Sequence, residues 1–182
     1  EAAPTTPVNI SCASAVPAIP VQTVTDNCGV PIDVDYVETT APGTCVNKFT
    51  MTRTWTATDD CGNATTRVQV INVNDNVAPV LSGAPAQPSV INVACAQMVP
   101  AAPVVTATDN CDPNVNVIYT EELQPGTCAN KFTIKRTWTA EDICGNKVTA
   151  TSTINVDDSV APVWNEAAPT TPVNISCASA VP

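Results

Sequence analysis

The sequence contains no histidine, and only 13% of its 182 residues are charged, with Lys and Arg together numbering seven. A chain without histidine lacks the side chain that most often serves as general base near neutral pH and most often ligates zinc. No Cys-x-x-Cys pair occurs either, which removes the usual thiolate zinc site and the dithiol redox motif. No stretch approaches the roughly 18 apolar residues of a membrane span, so direct membrane insertion is not expected. No signal peptide opens the sequence, and an export signal is expected to lie outside these residues or to have been removed. Aromatic residues are 4% of the total and tyrosines number two. With the acids concentrated in turns, neither a nucleophile with its base nor a carboxylate pair in a pocket assembles. The chain is therefore expected not to be an enzyme and to require no cofactor.

What is present is Val, Thr, Ala, Asn and 17 prolines, a composition that suits pleated strands and breaks helices. The net charge of −10 and pI near 4.1 repel phosphate backbones and anionic lipid, so nucleic acid is not expected as a partner. Nine cysteines at regular spacing point to an oxidising, extracellular compartment.

A repeat organises the chain. Cys12, Cys28, Cys45 and Cys61 return as Cys95, Cys111, Cys128 and Cys144, each 83 positions on. TDNC (25–28), PGTC (42–45), NKFT (47–50), RTWTA (53–57), CGN (61–63) and VAPV (77–80) return at the same offset. Glu166–Pro182 then repeats Glu1–Pro17 residue for residue. This pattern reads as a stretch of a longer array: residues 1–82 and 83–165 as modules, and 166–182 as the first strand of a third. Within a module, Lys48–Thr58 alternates strictly, with Phe49, Met51, Arg53, Trp55 and Ala57 on one face and threonines on the other. The arginine is expected to reach the rim or a carboxylate. Val8–Ser11, Val21–Asp26, Ile32–Val37 and Thr66–Val73 add strands. The expected fold class is all-β, as tandem immunoglobulin-like β-sandwich modules with two disulfides each.

Four cysteines per module allow three pairings, and spacing does not choose among them. Strand order places Cys28 and Cys61 at one end of a sandwich and Cys12 and Cys45 at the other. The pairs expected on that basis are Cys12 with Cys45, Cys28 with Cys61, Cys95 with Cys128, and Cys111 with Cys144. The ninth cysteine, Cys177, then has its partner outside this segment.

The joint set TDNCG, PGTC, RTWTATDDCGN and DNVAP resembles the immunoglobulin-like repeats, related to hyalin (HYR) modules, that fill giant surface adhesins of Bacteroidota, SprB-like gliding-motility adhesins among them. The resemblance implies a protein of the bacterial cell surface whose repeats form long filaments in adhesion or gliding. The linker around Asp75 and Asn76 is in turn similar to the cadherin inter-domain motif. It makes calcium a candidate ligand, held by Asp75 and Asn76 with Asp109 and Asp142 from the next module. The plainer reading of these acids is that they make turns and cap backbone amides.

The leading function is a semi-rigid stalk, since linkers such as Asp75–Pro79 are too short to behave as coils. Its partners would be neighbouring repeats or identical chains in a filament. Two alternatives come from other classes: a module that grips carbohydrate or protein through its loops, and a fibre subunit that exchanges a strand with its neighbour.

Overall fold

The alternating segment Lys48–Thr58 is an inner strand of the N-terminal sheet in the computed structural model, which describes residues 7–29 and 32–166. This strand (β3) pairs antiparallel with Asp33–Pro42 (β2) and with Ala64–Asn74 (β4). Val8–Ile10 (β1) lies parallel against the far edge of β4, giving the order β1-β4-β3-β2. The C-terminal sheet repeats the plan with Ser89–Val93 (β6), Val117–Cys128 (β8), Lys131–Glu141 (β9) and Lys147–Asp157 (β10), in the order β6-β10-β9-β8. Beside it, Val80–Ser82 (β5) and Thr106–Thr108 (β7) form a two-stranded antiparallel sheet. The chain is all-β and consistent with an immunoglobulin-like sandwich.

Two expected features fall differently. Val21–Asp26 is not a strand, although its counterpart in the C-terminal half supplies β7. The reason is pairing: β7 exists because β5 lies beside it, and among the described residues nothing takes the place of β5 in the N-terminal half. The same pairing joins Val80–Ser82, which lies before the boundary expected at 82/83, to Thr106–Thr108 after it. The expected third segment, from residue 167 on, lies outside the described residues, and Cys177 with it.

Each half packs its core on β3 and β4 or on β9 and β10. Ile71 and Val73 are sealed from solvent, as are Ile154 and Val156. Ile134, Ile154 and Val156 form a cluster against which Ile91, Val93, Val99 and Phe132 pack. An aliphatic side chain buried this way contributes about 1.5–3 kcal/mol.

The arginine on the apolar face is buried rather than at the rim. Arg53 is 3% exposed and Arg136 7%. Arg53 Nε donates to Glu38 Oε2 at 2.9 Å and Arg136 Nε to Glu121 Oε2 at 2.8 Å. Each guanidinium also donates to a main-chain carbonyl, Nη2 of Arg53 to Pro17 at 2.9 Å and Nη1 of Arg136 to Pro100 at 2.8 Å. Tyr36 and Tyr119 donate their hydroxyls to the same glutamates, at 2.7 and 2.6 Å. Their rings lie tilted on Trp55 and Trp138, with centroids 5.4 and 5.3 Å apart. A planar charge inside a sheet face is tolerable because it is paired with a carboxylate and hydrogen-bonded to main-chain carbonyl oxygen.

The Tyr36 hydroxyl and then Arg53 hold the Glu38 carboxyl below its ordinary range, and Tyr119 and Arg136 do the same for Glu121. A carboxyl with a depressed folded-state pKa adds stability that is fully present above its unfolded value, about 4.3, and is lost as pH falls through the folded value. Denaturant titrations should therefore show stability falling below about pH 4.3, and Glu38→Gln with Glu121→Gln should flatten that fall. An unchanged acid slope in the double variant would remove these glutamates as its source.

Candidate functional site: the junction between the sheets

Short turns with fixed chemistry bring the cysteines to the seam. In PGTC, a Cβ on Gly43 would collide with the carbonyl of Lys48, so only glycine lets the chain fold back ahead of β3. Asn47, 5% exposed, accepts the Ala13 amide on Oδ1 at 2.9 Å, and its own carbonyl accepts the Asp75 amide at 2.9 Å. One asparagine thus ties the Cys12 loop, the Cys45 turn and the linker together at one end of the N-terminal sheet.

The facing end of the C-terminal half is built from aspartate-locked turns. Asp142 Oδ1 accepts the amides of Cys144 and Asn146, both at 2.8 Å, and Oδ2 accepts Asn146 Nδ2 at 2.7 Å. Gly145 closes the turn with φ of 87°. Asp109 Oδ1 accepts the amides of Cys111 and Asp112, both at 2.9 Å. Asp112 Oδ2 then accepts the Ile143 amide at 3.1 Å, joining the two loops.

Across this seam run two disulfides, Cys12–Cys111 and Cys45–Cys144, each closing a sequence separation of 99. This corrects all four expected pairs: Cys12 is not bonded to Cys45, nor Cys111 to Cys144, and Cys28, Cys61, Cys95 and Cys128 are thiols. The physical reason lies in the seam. Cys12 and Cys45 share an end, but each side chain meets a cysteine of the neighbouring half there rather than the other cysteine of its own half.

The expected calcium ligands are only partly assembled. Asp75 is 4% exposed, and its Oδ2 is buried without a hydrogen-bond partner, as is Oδ2 of Asp109. A carboxylate oxygen of each lies within 4.8 Å of the other and of Cys111 Sγ, which the disulfide removes as a thiolate ligand. Asp142 is not part of the group: both its oxygens are taken by its own turn, although Asn146 Nδ2 also reaches the Asp75 carbonyl at 3.2 Å. Asn76 is exposed and is not in the group. A second trio, Asp59, Asp60 and Cys61, lies largely in solvent, and the Asp59 carboxylate is occupied by Cys61 and Asn63. What remains at the seam, among the described residues, is a pair of buried carboxylate oxygens without a hydrogen-bond partner, of the hard-donor type that divalent cations take.

Spacing gave no sign of the Tyr-Glu-Arg trio or of the buried Asn47. The recurrence of Tyr36, Glu38 and Arg53 as Tyr119, Glu121 and Arg136 was the available signal.

Residues 1–73 match the family model described as an HYR-like domain with 4 cysteines. The match supports an HYR-related, immunoglobulin-like repeat of the extracellular, adhesion type. No curated protein matches the chain.

Non-reducing digestion should release the peptide of Cys12 joined to that of Cys111, and Cys45 joined to Cys144. In the chain-entropy view each loop of this length is worth about 4–5 kcal/mol before strain. Cys12→Ser with Cys111→Ser should accordingly lower the denaturant midpoint strongly; a midpoint equal to the parent's would mean the bridge restrains nothing.

Proposed function

We propose that the chain is a structural, non-enzymatic segment of an extracellular bacterial surface adhesin or filament, a semi-rigid stalk acting in adhesion or gliding. The observation that carries this reading is the direction of the disulfides: they join one half of the chain to the other instead of closing each on itself. A linker of the Asp75–Pro79 kind, flanked by two covalent bridges, has little freedom to bend or twist. Such an element transmits position and force, which is what a stalk requires. The 83-residue repeat and the HYR-like match fit the same role, with neighbouring repeats or identical chains as partners.

Calcium belongs to this reading as a stiffener rather than a catalyst. Bound between Asp75 and Asp109, it would neutralise two facing carboxylates at the joint and satisfy their unpartnered oxygens.

Small-angle scattering on the oxidised chain should give one narrow distribution of inter-half distances, broadening when a phosphine reduces the bridges. A distribution equally broad before reduction overturns the rod. Calcium at ten times its dissociation constant should add about 1.4 kcal/mol of stability by mass action. That gain should vanish in Asp75→Asn; a gain that survives the substitution places the ion elsewhere.

A further inference from the structure

The four thiols are not scattered. Cys28 and Cys61 are the counterparts of Cys111 and Cys144, and Cys95 and Cys128 are the counterparts of Cys12 and Cys45. One end of the chain therefore carries the cysteines of the C-terminal side of the seam, and the other end carries those of its N-terminal side. Both ends hold the seam's local geometry without a partner among the described residues. Asn130 accepts the Ala96 amide on Oδ1 at 3.1 Å and the Asp158 amide on its carbonyl at 3.0 Å, as Asn47 does for Ala13 and Asp75. Asp59 Oδ1 accepts the amides of Cys61 and Asn63 at 3.0 and 2.7 Å, as Asp142 does for Cys144 and Asn146.

A second, independent observation concerns the strand missing from the N-terminal half. Where β5 lies against β7 in the C-terminal half, the N-terminal half has an open groove of about 260 Å³ lined by Thr23, Val24, Thr25, Trp55 and Ala57. Val24 is 37% exposed there, and Trp55 and Ala57 are each 6% exposed against 2% and 0% for Trp138 and Ala140. At the other end of the chain, Val163, Trp164 and Asn165 follow VAP as Val80, Leu81 and Ser82 follow it earlier. Trp164 stands 93% exposed and Val163 85%, while Leu81 in the paired strand is half-buried. The residues after Asn165 repeat Glu1–Pro17, so this segment has the register of a strand that precedes a module like the first.

We propose that these surfaces are the two halves of one joint and that the partner is a second copy of these two repeats, head to tail, in which Glu166–Pro182 stands where Glu1–Pro17 stands in the first. Val163–Asn165 of one copy pairs with Thr23–Thr25 of the next, and Trp164 fills the groove over Trp55 and Ala57. Cys95 and Cys128 of the first copy then bridge Cys28 and Cys61 of the second. For each bridge, two thiols give up two protons and two electrons to a disulfide oxidant such as glutathione disulfide, which leaves as two thiols. Because the contact joins unlike ends, it does not close on itself and generates a linear polymer. The inference rests on the stalk reading and adds to it the way one unit is attached to the next.

The test extends the full chain past Pro182 with a second copy of residues 18–182, so that Glu166–Pro182 stands where Glu1–Pro17 stood. In a glutathione redox buffer, peptide mapping should yield Cys95 joined to Cys28 and Cys128 joined to Cys61, species the dilute parent chain does not form. Alkylation at each of these positions should fall to about half, since half of the copies are bridged. Trp164→Asp between the copies should shift the new bridges toward thiols by roughly tenfold or more. Full alkylation, or Cys28 bonded to Cys61 and Cys95 to Cys128, overturns the inference while a mapped Cys12–Cys111 bridge leaves the stalk reading intact. Loss of Cys12–Cys111 itself overturns both, and bridges that form equally with Asp at position 164 overturn the strand contact.

Discussion

Two covalent bonds across one seam, Cys12–Cys111 and Cys45–Cys144, set what the rest of the structure has to accomplish. Each bridge needs its cysteine presented at a sheet end in a turn that does not wander. The turns are accordingly fixed by short-range chemistry: glycine where the chain doubles back, aspartate where successive amides need an acceptor, and Asn47 where three segments meet. The sheets then separate one set of turns from the next. A core of Trp55, Ala57, Ile71 and Val73 on one side and of Trp138, Ala140, Ala150 and the Ile134 cluster on the other is small for its sheet and leaves modest stability from burial alone. Bridges that close long loops are a natural supplement for domains of this size.

The buried arginines belong to the same economy of parts. A face with few aromatics needs width, and Arg53 supplies it by lying flat between Glu38 and two main-chain carbonyls while Tyr36 closes over the glutamate. The arrangement is repeated by Arg136, Glu121 and Tyr119. A charge held this way restricts the sheet to one register, since a slip of one residue on β2 would move Glu38 to the opposite face.

Much of the fold was legible in the residues. Strict alternation over Lys48–Thr58 gave that strand its bounds, because a half-buried strand writes its period of two into the sequence. The strand expected at Val21–Asp26 failed for a reason the segment itself does not contain: its neighbour in the ladder comes from a distant stretch of chain. The disulfide pairs failed for the same reason. Counting four cysteines per repeat treats each repeat as closed, and the period of 83 is equally compatible with bonds that step from one repeat to the next. Period alone cannot tell a bond within a unit from a bond between units. Among the acids at the seam, Asp75 and Asp109 converge while Asp142 serves its turn, and both roles use the same residue type in the same Asp-x-Cys setting for Asp109 and Asp142.

Units that borrow bonds from their neighbours differ mechanically from beads on a string. In a string, each bead is complete and the linkers carry the load as flexible tethers. Here the linker between β4 and β5 runs beside two disulfides, so a pull along the chain reaches the second sheet through three strands of covalent structure. Two bridges resist rotation as well as extension, because a single bond permits twisting about itself and a second one off its axis does not. In the stalk proposed above, the stiffness of the seam would come from two bridges acting at separate points of it as much as from the bonds themselves.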